Sequence, residues 1–289
     1  MNIIFFGTPD FVIPVAQTLK DNFNLISVVT TPDEPAGRNH LLSPPPMKIW
    51  AQEHNVPVLQ PEKLEIINLK LEIPIDLFVV AAYGKILPQS LLEIPRLGAI
   101  NIHPSHLPEF RGPTPVPATI LSGLTSSAVS IIQMDAEMDH GPILTKIPFQ
   151  IKRNETTPDV LRKVFNLAAA QLPSIIQQYN NEIIKPTEQQ HENATYCQRL
   201  TKLDGFIDLD NPPTPEKFDQ MVRAYYPWPN VWTKTRIKNQ ELRIKFLPQK
   251  QIQIEGKRPV DVETFYRGYP EVKEKIKLLY QNASGTFQD

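Results

Sequence analysis

The chain is 289 residues long, 41% apolar and 21% charged, the balance of a soluble globular protein with room for one large domain or two ordinary ones. A net charge of −1 supplies no global field that demands a nucleic-acid partner, and a single cysteine, Cys197, excludes an internal disulfide and a thiolate metal cluster. No apolar run is long enough to span a bilayer, and the opening residues lack the basic head and apolar length of a signal peptide, so a cytoplasmic protein is expected.

Taken in order, Asn2 to Phe6 reads as a buried strand. Gly7-Thr8-Pro9-Asp10-Phe11 then turns into a helix, with Thr8 as its N-cap and Pro9 at the first helical position. This start is Rossmann-like but lacks G-x-G-x-x-G, so no dinucleotide is indicated. Leu25 to Thr30 is a second strand, and Thr31 to Pro46 a long loop holding Pro35-Ala36-Gly37-Arg38. A helix over Met47 to Asn55 and a short strand at Val58-Leu59 follow. Leu77 to Ala81 is apolar throughout, as a central strand covered on both faces requires, and Ala82 to Pro88 is the loop after it. Gly98 to Ile102 is the next strand.

Pro115 to Leu124 suits a short helix, and Ala128 to Met134 and Ile143 to Gln150 suit strands. Thr156-Thr157-Pro158-Asp159 opens a long helix with a hydroxyl cap, a first-turn proline and an early acid. Val160, Leu161, Val164, Ala168 and Leu172 give its apolar face. These alternations predict an α/β domain over residues 1–182 with a Rossmann-like, mostly parallel sheet. Residues 183–195 are polar and unpatterned and read as a linker. Residues 196–289 carry a helix around Glu216 to Tyr225 and strands at Val231 to Thr235, Leu242 to Leu247 and Gln251 to Ile254, which suggest a small β-barrel. Trp228, between two prolines, reads as a core residue of that part. Charge divides unevenly: residues 1–190 hold 14 Lys and Arg against 18 Asp and Glu, whereas residues 191–289 hold 16 against 13. The second part is therefore the better suited to a phosphate backbone.

The chemistry concentrates in Gly98 to Gly112. Asn101 and His103 sit at alternate positions where a strand gives way to a loop, so both face the same side. In open α/β sheets ligands bind just past the carboxyl ends of the strands. An amide can hold a developing oxyanion, and an imidazole can carry a proton near neutrality. Asp139, on the loop after a later strand, adds a carboxylate that can orient the imidazole. No G-x-S-x-G elbow surrounds Ser105. His103 and His106 lack metal-ligand spacing, and no metal is expected. Such a set fits acyl-type transfer in which the substrate brings the nucleophile.

In these residues the chain resembles the folate-dependent formyltransferases over nearly its full length. The matching stretches are Phe6-Gly7-Thr8-Pro9-Asp10-Phe11, Pro32 to Arg38, Ala82 to Pro88, Asn101-Ile102-His103, Ser105 to Pro108 with Arg111-Gly112, and Met134-Asp135 with Asp139. Ala194-Thr195-Tyr196 and Arg223 to Pro229 are similar to the C-terminal part of the methionyl-tRNA formyltransferases, the branch the first two stretches also favour. The resemblance implies transfer of the formyl group of 10-formyltetrahydrofolate to the amino group of methionyl initiator tRNA, a step of translation initiation. The alternatives are an amino sugar nucleotide as acceptor, or water. It implies Asn101, His103 and Asp139 as catalytic residues, and Ser105, His106, Leu107, Pro108, Tyr83, Gly84 and Ile86 at the folate. It implies Arg38 and Arg111 at the tRNA, with the C-terminal part along its backbone. A monomer without membrane association is expected. Pro104, His106 and His140 depart from the family pattern, the lysine-poor Asn39-His40-Leu41-Leu42 implies fewer phosphate contacts, and the C-terminal barrel, OB-like by the resemblance, is abbreviated between Leu247 and Gly256. His40, His106 and His140 are read as local hydrogen-bonding groups.

Overall fold

Four large apolar residues in a row, Ile3 to Phe6, are fully buried in the first strand of a computed structural model that describes residues 1–36, 41–64, 73–237 and 240–281. That strand is β1 (Asn2–Gly7). The chain then makes a single 3₁₀ turn over Asp10–Val12 before α1 (Ile13–Asn22), with Pro9 rather than Thr8 at the N-cap. Thr8 is used otherwise. Its Oγ1 donates to the carbonyl of Tyr83 at 3.3 Å and accepts from Thr30 Oγ1 at 3.4 Å, which ties three strand-end loops together.

β2 (Asn24–Val29) follows. The segment read as a long loop contains a short antiparallel pair, β3 (Glu34–Ala36) with β4 (Leu41–Ser43), and Leu41 and Leu42 stand exposed on it. Next come α2 (Pro46–Glu53), β5 (Val58–Leu59), β6 (Leu77–Ala81), α3 (Gln89–Leu92), β7 (Ala99–His103), α4 (Pro115–Leu121), β8 (Ser126–Gln133), β9 (Ile143–Gln150) and α5 (Thr157–Asn180). Seven strands form one sheet in the order β5-β2-β1-β6-β7-β8-β9. The pairs from β5 to β7 are parallel, and β7 pairs antiparallel with β8. The chain runs from β1 outward to β2 and β5, then returns to β6 on the other side of β1. Strand order thus reverses beside β1, and in open α/β sheets ligands bind past the carboxyl ends at such a point. Phe6, Phe78 and Tyr83 pack edge to face beneath it, with ring centroids 5.1 and 5.5 Å apart. α5 is capped as its sequence predicts: Thr156 N–H and Oγ1–H both donate to Asp159 Oδ2, at 3.0 and 2.5 Å.

The described residues divide into two compact units. The first comprises Met1–Pro115, Ser126–Phe149 and Leu161–Cys197, and the second Val116–Thr125, Gln150–Val160 and the chain from Gln198. Residues 183–195, which composition marks as a linker, lie inside the first unit. Thr187 exchanges backbone hydrogen bonds with Ile143 at 2.7 and 2.9 Å, and Gln189 is buried.

The second unit carries α6 (Pro215–Ala224), then a four-stranded antiparallel meander of β10 (Val231–Ile237), β11 (Gln240–Leu247), β12 (Gln251–Ile254) and β13 (Val260–Asp261). The barrel-like reading thus resolves into a sheet whose edges, among the described residues, are β10 and β13. Two helices beyond the sequence reading follow, α7 (Val262–Gly268) and α8 (Lys273–Tyr280). Trp228 is not the core residue its flanking prolines suggest: it is 56% exposed, and Trp232 and Tyr225 fill the interior instead.

Candidate active site

β7 presents Asn101 opposite Ile132 of β8 and His103 opposite Ser130. Ile100 and Ile102, on the other side of the strand, are buried, so the two polar residues share a face because side chains alternate. The third member comes from the β8–β9 connection. Asp139 adopts φ 52°, a left-handed conformation that a non-glycine residue keeps only when its surroundings impose it. Those surroundings are specific. Gly112 N–H donates to Oδ2 at 2.8 Å, and Asn101 Nδ2 donates to Oδ1 at 3.0 Å. His103 Nδ1 lies 3.4 Å from the same Oδ1. The next glycine closes the turn: a Cβ on Gly141 would run into the carbonyl oxygen of Gln133.

His103 is 4% exposed, and its Nε2 lies 3.0 Å from the carbonyl oxygen of Phe110. A carbonyl only accepts, so Nε2 carries the hydrogen and Nδ1 is the nitrogen turned to the carboxylate. Asn101 Nδ2 has two hydrogens, and Asp139 takes one. The amide, the imidazole and the carboxylate therefore meet at one oxygen, Asp139 Oδ1. A proton delivered to Asp139 Oδ1 can pass to Nδ1 of the imidazole beside it, and the second N–H of Asn101 is left for an oxyanion.

The loop after β7 is shaped from below by Ser130, which is fully buried. Its Oγ donates to the carbonyl of Ser105 at 2.7 Å and accepts the N–H of Leu107 at 3.1 Å. Ser130→Ala leaves both groups buried and unpaired. It is expected to destabilise the fold by about 2 kcal/mol, read as a lower denaturant midpoint at unchanged slope.

The residues that the sequence reading puts at a ligand divide into two groups. Ser105 and Leu107 are fully buried, and Ser105 Oγ donates to the carbonyl of Glu109 at 2.6 Å, so their side chains build the loop rather than face solvent. Tyr83 is 2% exposed, and burial pushes its phenol up to about 12. Gly84 (φ 86°), Ile86 and His106 are exposed, and Pro108 is half-buried. His106 Nε2 lies 3.5 Å from Lys146 Nζ. His140 makes the local contact expected of it, with Nδ1 2.7 Å from Asp135 Oδ2. Its ring also stacks on His191 at 4.1 Å. Arg38 and His40 lie outside the described residues.

Arg111 is the clearest correction. The sequence reading turns it toward tRNA, but it is 2% exposed. Its Nε and Nη2 donate to Gln189 Oε1 at 3.2 and 2.7 Å, Nη2 also lies 2.8 Å from His191 Nδ1, and Nη1 donates to Tyr196 Oη at 3.4 Å. A guanidinium so enclosed offers nothing to a phosphate. Gln189 and Ser130 are the two site residues that sequence reasoning missed. Gln189 sits in an unpatterned polar stretch and Ser130 at an alternating strand position, so neither carries a local signal.

Among the described residues, no helix is long and apolar enough to cross a membrane, and no cluster of three or more His, Cys, Asp or Glu has metal-binding geometry.

Residues 1–176 match the family model described as formyl transferase. The methionyl-tRNA formyltransferase of Chloroflexus aggregans is 42% identical over 248 residues, which cover 84% of this chain and 79% of that protein. The methionyl-tRNA formyltransferase of Dehalococcoides mccartyi is 35% identical over 294 residues, covering all of this chain and 89% of its own. Among solved structures, a 4-N formyltransferase from Francisella tularensis superposes with a TM-score of 0.66 at 19% identity, over 86% of this chain and 98% of its own, a likeness of fold.

Proposed function

The chain belongs to the methionyl-tRNA formyltransferase family of formyl transferases, and on that premise we propose that it moves a formyl group from 10-formyltetrahydrofolate to the amino group of methionine on initiator tRNA. One observation carries the reading: Asn101 Nδ2 and His103 Nδ1 converge on Asp139 Oδ1 at 3.0 and 3.4 Å, at the rim of a mostly parallel sheet. The folate supplies the formyl carbon. The loops after β6 and β7 fit such a donor: Gly84 leaves open space where a Cβ would stand, and Ile86, 70% exposed, gives an apolar surface for a flat heterocycle.

This chain's own groups divide the work. The methionyl amine attacks the formyl carbon, and negative charge develops on the formyl oxygen. The second N–H of Asn101 holds that oxygen, where a donor matters most as charge appears. Asp139 takes a proton from the attacking ammonium, directly or through water. His103, fixed by the Phe110 carbonyl, stabilises the intermediate, takes that proton from Asp139 Oδ1 at Nδ1 and passes it to the leaving nitrogen as the bond from the formyl carbon to the folate breaks. No serine or cysteine nucleophile is needed, because the acceptor brings its own.

The tRNA is assigned to two places, the loop around Arg38 and the more basic second unit. Arg38→Ala is expected to raise the KM for tRNA about tenfold and leave the KM for the folate unchanged, measured by initial rates; an unaltered tRNA titration removes the loop assignment. The reading itself is tested by a formylation assay that offers charged initiator tRNA, an amino sugar nucleotide and water as acceptors. Turnover with the tRNA alone supports it, and turnover with either alternative alone overturns it.

A further inference from the structure

The turn that bears Asp139 is met by a strap whose Gln189 lies 50 residues away in sequence. Residues 187–197 run beside the loop that bears Arg111: Arg111 N–H donates to the carbonyl of Thr195 at 2.9 Å, Cys197 N–H to the carbonyl of Arg111 at 2.8 Å, and Phe110 N–H to Thr195 Oγ1 at 2.9 Å. At the strap's buried start sits Gln189, 5% exposed. Its Nε2 donates one hydrogen to the carbonyl of Asp139 at 2.9 Å and the other to the carbonyl of Gly141 at 2.7 Å. Its Oε1 accepts twice from the buried guanidinium of Arg111. Every hydrogen-bonding position of the amide is thus committed, and its Nε2 grips the backbone on both sides of the turn that holds Asp139 in a left-handed conformation.

We propose that Gln189, clamped from behind by Arg111, is a positioning residue that sets the Asp139 carboxylate against Asn101 and His103. The chemistry of the contact admits few substitutes. Glutamate could satisfy Arg111 but has no hydrogen for either carbonyl. Methionine fills the space and satisfies neither side. A side-chain amide alone among neutral groups of this length donates twice and accepts a fork. Without it, two carbonyls in the turn lose their donors, and Asp139 is free to relax from its strained backbone. Gly112 then still reaches Oδ2, but the alignment of Oδ1 with His103 is no longer imposed.

The kinetic half of the test rests on the proposed formyl transfer; the spectroscopic half does not. Gln189→Met, Gln189→Glu and Arg111→Lys are prepared in the full chain, and their folding is checked by thermal unfolding. In each, kcat for formylation of charged initiator tRNA is expected to fall 10- to 100-fold, while KM for both substrates stays within about threefold. The imidazole NMR signals of His103, which report the carboxylate beside Nδ1, are expected to move in the resting protein. Gln189→Glu is the discriminating variant, because it keeps an acceptor for Arg111 and puts an anionic oxygen in place of the NH₂ that donates to the carbonyls of Asp139 and Gly141. Near wild-type kcat with unmoved His103 signals in Gln189→Glu overturns the proposal, as does a loss of thermal stability in all three without either change. Moved His103 signals in a protein that formylates no tRNA uphold the positioning and reject the acceptor. Where one variant does not fold, the remaining two still alter the same Gln189–Arg111 contact and decide the outcome.

Discussion

Asp139→Asn is expected to lower kcat for formyl transfer by about a thousandfold, within the range of a lost general acid–base group. Asparagine keeps the shape of the side chain and removes its charge and its capacity to take a proton. It also introduces an NH₂ group among donors. Gly112 N–H points at Oδ2 and Asn101 Nδ2 at Oδ1, so either orientation of the new amide sets a donor against a donor. A stability loss of about 1–3 kcal/mol therefore accompanies the kinetic one. Single-turnover measurements at saturating folate and tRNA, on protein whose unfolding midpoint lies well above the assay temperature, separate the two. A kcat within threefold of wild type removes Asp139 from the chemistry.

Asn101→Ala is expected to lower kcat about 100- to 1,000-fold with both KM values nearly unchanged, the behaviour of a donor whose interaction grows as an oxyanion forms. The structure raises a second explanation, since Asn101 also donates to Asp139 Oδ1. A double-mutant cycle separates them. If Asn101 acted only by holding Asp139, its replacement in the Asp139→Asn background would cost nothing more; a further loss of at least about tenfold is expected, because the second N–H serves the substrate directly. Additional losses below twofold would reassign Asn101 as a support for the carboxylate.

Much of the first unit was legible from local patterns. The apolar runs at Asn2 to Phe6 and Leu77 to Ala81 mark buried parallel strands because both faces of such strands are covered. Ile143 to Gln150 was bounded to the residue, and Thr156 with Asp159 announced α5 because a cap is a contact over three residues. Asn101 and His103 could be placed on one face from period-two alternation alone. Thr8 shows where such rules stop. Thr-Pro-Asp has the composition of a helix start, yet the hydroxyl is taken by Tyr83, 75 residues away, and the helix begins later. Trp228 shows the same limit at the surface: the ring stands exposed between two prolines where composition suggests burial.

By itself the sequence determined most elements of the first unit, the family and the three residues that meet at the sheet edge, since these are written in periodicity, caps and short motifs. The tertiary structure alone decided that Arg111 is enclosed rather than offered to a phosphate, and that the polar stretch around Gln189 is a strap rather than a tether. The reason is physical. Burial of a cation and the aim of an amide depend on partners 78 and 50 residues distant, and hydrogen bonds across such separations leave no period in the chain for a reader to find.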